Sequence, residues 1–227
     1  VEQILQSAAD RGEAPLLVVC DEISDPHNLG AVIRTADAAG AHGVIIPKRR
    51  SAGLTAIVGK TSAGAVSYLP VARVANLTSV LKDLKKQGVW IFGTAAGAST
   101  NLYSADLKGP AAIVIGSEGD GMSRLVAENC DFLVSIPMKG HISSLNASAA
   151  AAILLLYLGL TFAGAAVISA AENLPLGACL YETASAAGTV GLTLGLTPQL
   201  GTLSQSILIL LMFFGRVGPV SYTHLTL

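Results

Sequence analysis

The chain has 227 residues, a formal net charge of −1 and 52% hydrophobic residues. That length builds one or two domains with a sizeable core, and the balanced charge excludes a globally basic nucleic-acid binder. Charge is unevenly spread: residues 158–227 hold only Glu172, Glu182 and Arg216, too few for a soluble surface, whereas residues 1–157 read as an ordinary soluble α/β domain.

In chain order, Leu16–Cys20 ("LLVVC") reads as a buried strand. "DPHN" is a turn, and "LGAVIRTADAAG" has helical spacing from Leu29 to Gly40. "GVIIP" (43–47) is a second strand, "LTAIVGKTSAGAV" is helical and "YLPVARV" is extended. Asn76 caps "LTSVLKDLKKQ", which stops at Gly88. "VWIFGTA", "AAIVIGS" (111–117) and "FLVSIP" are strands, Ser123 caps a helix through Asn129, and a last helix starts near Leu145, capped by Ser143 or Ser144. Strands alternating with helices predict a parallel sheet covered on both faces, with ligands at the carboxyl ends of the strands. Three polar loops fall there: 25–30, 116–121 and 137–146.

The candidate chemistry lies in those loops. Asn28 stands just before a helix, Arg34 follows six residues on, and Gly30 permits close backbone approach. A guanidinium among apolar neighbours needs an anion or stays on the surface; both readings stand. Glu118 sits among Gly116, Gly119 and Gly121, in position to pair with Arg34, although the loop also reads as a plain turn. Asn146 and Ser148 lie in the first turns of the last helix, where free N–H groups hold anions. His141 reads as a solvent-facing loop residue. Lys48, Arg49 and Arg50 form a local basic cluster, either a solvated loop or an RNA contact. Metal ligands are not clustered. Three cysteines without a CxxC pattern point to a reduced compartment, and Cys20 and Cys130 read as core. No basic stretch followed by an apolar run opens the sequence, so no signal peptide is expected from it.

"NLGAVIRTADAAG", "IVIGSEGDGMS" and "IPMKGHISSLNASAAAAIL", in this order, resemble the three motifs of the SpoU (TrmH-like) RNA ribose methyltransferases of the SPOUT class. "HGVIIPKRRSAGLTA" is similar to the bacterial 23S rRNA guanosine 2′-O-methyltransferase branch. The resemblance covers roughly residues 10–157. It implies a trefoil-knotted parallel-sheet domain, S-adenosylmethionine as cofactor, ribosomal RNA as partner, a homodimer and a cytoplasmic location. It places Asn28, Arg34, Glu118, Ser144, Asn146 and Ser148 in the active site. Thr94, Gly97, Gly116, Ile136, Met138 and Leu145 would contact the cofactor, and Lys48, Arg49 and Arg50 the RNA. Members of this branch carry a small N-terminal RNA-binding domain, which is not visible here.

The rest of the chain differs. Uncharged stretches run from Ile142 to Ala171 and from Thr183 to Gly215, each longer than the ~20 residues that cross a bilayer. "LYETASAAGTVGLTLGLTPQLGTLSQSILILLMFFGRVGP" (180–219) resembles the last pore repeat of the TrkH/KtrB potassium-uptake subunits. The resemblance puts Thr189, Val190 and Gly191 in a filter-like stretch and Arg216 after the final span. "SYTHLTL" (221–227) fits neither family and resembles translated sequencing-adapter sequence. The expected division is 1–157 methyltransferase, 158–220 transporter-like segment and 221–227 artefactual tail, the signature of a chimeric reading frame joined in "AAAAILLLYLGL".

Overall fold

A computed structural model describes all residues except 103–104, 106–108, 137–144, 188–191 and 225–227; the side chains of 214–224 are likewise not described. The chain folds as two compact units: Val1–Thr100 with Leu107–Leu155, and Asn101–Asp106 with Leu156–Leu227.

The N-terminal unit is an α/β layer structure. Its strands are β1 (Leu16–Cys20), β2 (Gly43–Pro47), β3 (Val71–Val74), β4 (Trp90–Thr94), β5 (Thr100–Asn101), β6 (Ala111–Ile115) and β7 (Phe132–Ser135). The order across the seven-stranded sheet is β3-β2-β1-β6-β4-β7-β5. The pairings β1 with β2, β1 with β6, β2 with β3, β4 with β6 and β4 with β7 are all parallel. The central strands are buried on both faces, which is why they read as continuous apolar runs rather than alternating ones. From β1 the chain moves outward through β2 and β3, then crosses to β4 and returns with β6 beside β1. The strand order therefore reverses at β1 and β6, and a doubly wound sheet opens a crevice at such a point.

The helices are α1 (Glu2–Asp10), α2 (Pro26–Ala38), α3 (Ala56–Thr61), α4 (Leu77–Lys86) and α5 (Arg124–Ala127). One face of the sheet is closed by Ile4 of α1, Leu77, Leu81 and Leu84 of α4 and Val126 of α5, over Leu17, Val19, Ile45, Ile91 and Val114. α2 lies against β2 and α3.

Several boundaries differ from expectation for local reasons. α2 begins at Pro26, not Leu29, because Asp25 caps it by accepting from His27 N at 2.8 Å and proline fits the first helical position. Asn28 is thus in the first turn rather than before the helix. α3 stops at Thr61 because Ala63 and Gly64 turn left-handed (φ 51° and 86°), and a short 3₁₀ turn (Ala65–Ser67) follows. Ser123 occupies the cap position of α5 but makes no side-chain capping bond, and the helix is one turn long. The cap of Leu77–Lys86 by Asn76 is as expected, its Oδ1 accepting from Ser79 N at 3.1 Å. Residues 137–144 of the C-terminal part expected to be knotted lie outside the described residues.

The C-terminal unit is helical. α6 (Ala147–Glu172) continues into it from the first unit, followed by α7 (Leu176–Ala187) and α8 (Thr202–His224). α8 passes residue 221 without a break. Ala165, Ile168, Cys179, Leu180, Leu208 and Leu211 form its core. The filter-like Thr189, Val190 and Gly191 lie outside the described residues.

Candidate active site

Because the paired strands run the same way, the loops after β1, β2, β4, β6 and β7 emerge at one edge of the sheet. Asn146, just before α6, joins three of the expected site segments. Its Oδ1 accepts from Ser148 N at 2.9 Å and Ala149 N at 3.4 Å, and from the Ser148 hydroxyl, so Asn146 rather than Ser143 or Ser144 caps the helix. Its amide nitrogen donates to Asn28 Oδ1 at 3.0 Å and to Glu118 Oε1. Asn28, Glu118, Asn146 and Ser148 are thereby one hydrogen-bonded cluster, with Asn28 8% exposed.

Arg34 is not part of that cluster. It is exposed on α2, and no ion pair joins it to Glu118, whose carboxylate is taken by Asn146. Gly30 admits a close approach, but to the protein itself: a Cβ there would stand 1.9 Å from Thr61 Oγ1, so the glycine serves the α2–α3 contact.

Beside the cluster lies a cavity of about 350 Å³, within the range of small-ligand sites. Its walls are Thr94 of β4 with Ala95 and Ala96 after it, the whole loop Gly116–Met122 after β6, Val134 of β7 with Ile136 just beyond it, Leu145 before α6 and Ala147 and Ala150 within it, with Ile115 and Ala127 completing it. Four of the expected cofactor contacts, Thr94, Gly116, Ile136 and Leu145, line it. Gly97 does not; Met138, Ser144 and His141 lie outside the described residues. Gly116 has no room for a side chain: its Cβ would lie 2.2 Å from the Gly121 carbonyl carbon. The loop closes on itself through Ser117 N to Gly121 O (2.9 Å) and Gly121 N to Ser117 O (3.1 Å), with Gly121 left-handed at φ 70°. Asp120, Ser117 and Met122 are lining residues that the sequence reading missed; their signal was the loop's position after a buried strand.

Lys48, Arg49 and Arg50 are exposed after β2, at the same edge. Arg50 is left-handed (φ 58°) and its Nη1 is 3.3 Å from Glu22 Oε1. Ala52 N and Ser51 Oγ donate to Ile23 O at 2.8 and 3.1 Å, tying the basic loop to the turn after β1. Cys20 and Cys130 are not nucleophiles: burial, reinforced by Asp21 and Asp131 respectively, pushes each thiol up to about 12. Among the described residues no His, Cys, Asp and Glu group is placed to hold a metal.

Residues 15–156 match the model of the SpoU rRNA Methylase family, and residues 134–226 match that of TrkH, a cation transport protein. The chain is 51% identical over 154 residues to the 23S rRNA (guanosine-2'-O-)-methyltransferase RlmB of Shewanella oneidensis, covering 68% of this chain and 63% of that protein. With the Vibrio parahaemolyticus protein of the same name it shares 52% over 143 residues, covering 63% of this chain and 58% of that one. The chain thus spans about three fifths of the length of these curated relatives. The SpoU methyltransferase AviRb of Streptomyces viridochromogenes, solved in complex with the cofactor AdoMet, superposes with a TM-score of 0.60 at 32% identity, over 63% of this chain and 56% of that one.

Proposed function

Since this chain belongs to the SpoU rRNA methylase family over residues 15–156, we propose that its N-terminal part transfers a methyl group to a ribose 2′-hydroxyl of RNA, with a guanosine of 23S rRNA as the target. The observation that carries this reading is Asn146 joining Asn28 and Glu118 beside a cavity at the carboxyl ends of β4, β6 and β7.

The cavity suits S-adenosylmethionine. Its size fits a nucleoside-sized ligand, its loop walls offer backbone groups, and Ile115, Val134, Ile136 and Leu145 offer apolar surface. Thr94, Gly97, Gly116, Ile136, Met138 and Leu145 would hold it. When bound, it supplies an electrophilic methyl carbon on a sulfonium. The protein's task is to present a hydroxyl, a poor nucleophile at neutral pH. Arg34 stabilises the charge that develops on the hydroxyl oxygen and grips the adjoining phosphate. A guanidinium keeps its proton in proteins and is a poor base, so phosphate or water takes the proton. Asn28 positions the ribose, and Glu118 and Asn146 fix Asn28, with Ser144 and Ser148 at the α6 start. Lys48, Arg49 and Arg50 bind the RNA backbone. The working form of this part is a homodimer with a trefoil-knotted C-terminal end, cytoplasmic by itself and held at the membrane where the tail after residue 158 is genuine.

The test uses the full chain in detergent: calorimetry with S-adenosylmethionine, then methyl transfer to ribosomal RNA. Wild type binds and turns over. Arg34→Lys binds the donor equally but loses roughly a hundredfold in rate, the scale of one lost transition-state donor. Near-wild-type turnover by Arg34→Lys refutes the guanidinium role; donor binding without turnover by wild type favours an inactive cofactor-binding relic.

A second reading applies to the other unit. The two family matches overlap over 134–156, and α6 is long and apolar enough to cross a membrane. We infer that two sequences of separate origin meet in the Ala/Leu run 149–160, the second being one potassium-transporter pore repeat. A pore needs four such filter segments, so this chain alone does not transport ions. Amplifying across codons 149–160 from source DNA tests the joint: failure to recover the continuous frame supports a chimera, and recovery supports a natural membrane-tethered enzyme.

A further inference from the structure

At the carboxyl end of β1 stands a buried acid that the chemistry above leaves unused. Asp21 is 3% exposed and is not among the cavity-lining residues. Its backbone N–H donates to Ile115 O at 2.8 Å, holding it at the end of β6. Its Oδ2 accepts from Ser123 N at 2.7 Å, from 102 residues further along the chain. A buried carboxylate is costly unless it accepts strong hydrogen bonds, so this bond accounts for the residue's presence there.

Ser123 follows the last residue of the loop Gly116–Met122, all of which lines the cavity. β6 sets the loop's entry. The paired backbone bonds between Ser117 and Gly121 close its neck, and the lack of space at Gly116 keeps it folded. Asp21 holds its exit. Two residues beyond Asp21, Ile23 O accepts from Ser51 Oγ and Ala52 N, which directly follow the basic cluster.

We propose that Asp21 is a positioning residue of the methyl-donor cavity: it sets the wall Gly116–Met122 by fixing Ser123, and through Ile23 it ties that wall to the basic loop. The proposal rests on the reading of the cavity as the donor site. The experiment compares wild type, Asp21→Asn and Asp21→Ala in the full chain in detergent. Calorimetry with S-adenosylmethionine is paired with amide hydrogen exchange of the ligand-free protein. Asp21→Ala weakens donor binding roughly tenfold, as expected for one lost charge-assisted bond. It also raises exchange at Ser123 and across 117–122, while Val19 and Val114 in the sheet stay protected. Asp21→Asn, which keeps an acceptor oxygen, restores affinity to within about threefold.

Wild-type affinity and exchange in Asp21→Ala overturn the proposal. So does loss of protection across the whole sheet without rescue by Asp21→Asn, which marks an ordinary folding residue. A wild-type chain that binds no donor refutes the donor-site reading instead. Exchange at Ser123 then decides the positioning claim alone, release supporting it and unchanged protection overturning it.

Discussion

Asn146 shows how much one side chain decides here. Its carbonyl oxygen caps α6 and its amide nitrogen clamps Asn28 and Glu118, so the two ends can be tested apart. Asn146→Asp keeps a capping oxygen but loses both donors and sets a second carboxylate against Glu118. Asn146→Ala loses cap and clamp together, the cap alone being worth about 1 kcal/mol. Both variants are expected to weaken S-adenosylmethionine binding at least about tenfold by calorimetry, with the alanine also lowering the melting temperature. Wild-type affinity in Asn146→Asp would show that the clamp does not shape the site. At the same scale, the Cys20 and Cys130 thiols are pushed up from the ordinary 9.0 to about 12, chiefly by burial. Both remain protonated at pH 8, so iodoacetamide should label neither in the native chain and both after unfolding, as read by peptide mass spectrometry. The sign for stability follows: what these buried thiols contribute is fully present below pH 9 and is lost as pH rises toward 12, so thermal stability should fall across that interval.

Among elements, the α2–α3 contact rests on the missing side chain of Gly30. Thr61 Oγ1 fills that space and bonds to Ile57 O at 2.9 Å and Pro26 O at 3.3 Å. Gly30→Ala should cost about 1–3 kcal/mol through overpacking, seen as a lower urea midpoint of Trp90 fluorescence; an unchanged midpoint would mean α3 yields freely. Gly116→Ala has a different target, the folded cavity loop. It should abolish donor binding while leaving the β1–β6 ladder intact by hydrogen exchange. The strands were legible because runs such as "LLVVC" and "AAIVI" are too short and too apolar for helices. The start of α2 is also legible, in Asp25 followed by Pro26, but "DPHN" reads equally as a turn, which puts the boundary too late. α1 carries no side-chain capping signal, and two-residue β5 has no periodicity to detect.

The whole chain divides by chemistry. Each unit solves its own burial problem. In the N-terminal unit apolar residues are inside and Lys48, Arg49 and Arg34 outside. In the C-terminal unit Glu182 is buried and Glu172 half-buried, and each is taken up by hydrogen bonds. Glu182 is 3% exposed and accepts from Thr193 Oγ1 and Leu194 N at 2.8 Å, and Glu172 accepts from Gly201 N at 2.8 Å and Ser204 Oγ at 2.6 Å. Leu203, Ile209, Leu210 and Phe213 face outward, each more than half exposed. An apolar exterior over satisfied polar groups suits lipid, not water. The expressed chain should stay in the membrane fraction after alkaline carbonate washing and dissolve only in detergent; release into the wash would refute a bilayer-facing tail.

Local patterning by itself determined the parallel α/β class, the change at about 158 and the three loops that carry the polar residues. Those properties follow from hydrophobic period and charge density, which are local. Which side chains meet was decided only in three dimensions. Glu118 meets Asn146 rather than Arg34, Gly30 meets Thr61 rather than a ligand, and Asp21 meets Ser123. Partners 28 to 118 residues apart leave no trace in local pattern, because a hydrogen bond depends on where the sheet and its crossovers bring two groups, not on the residues beside them.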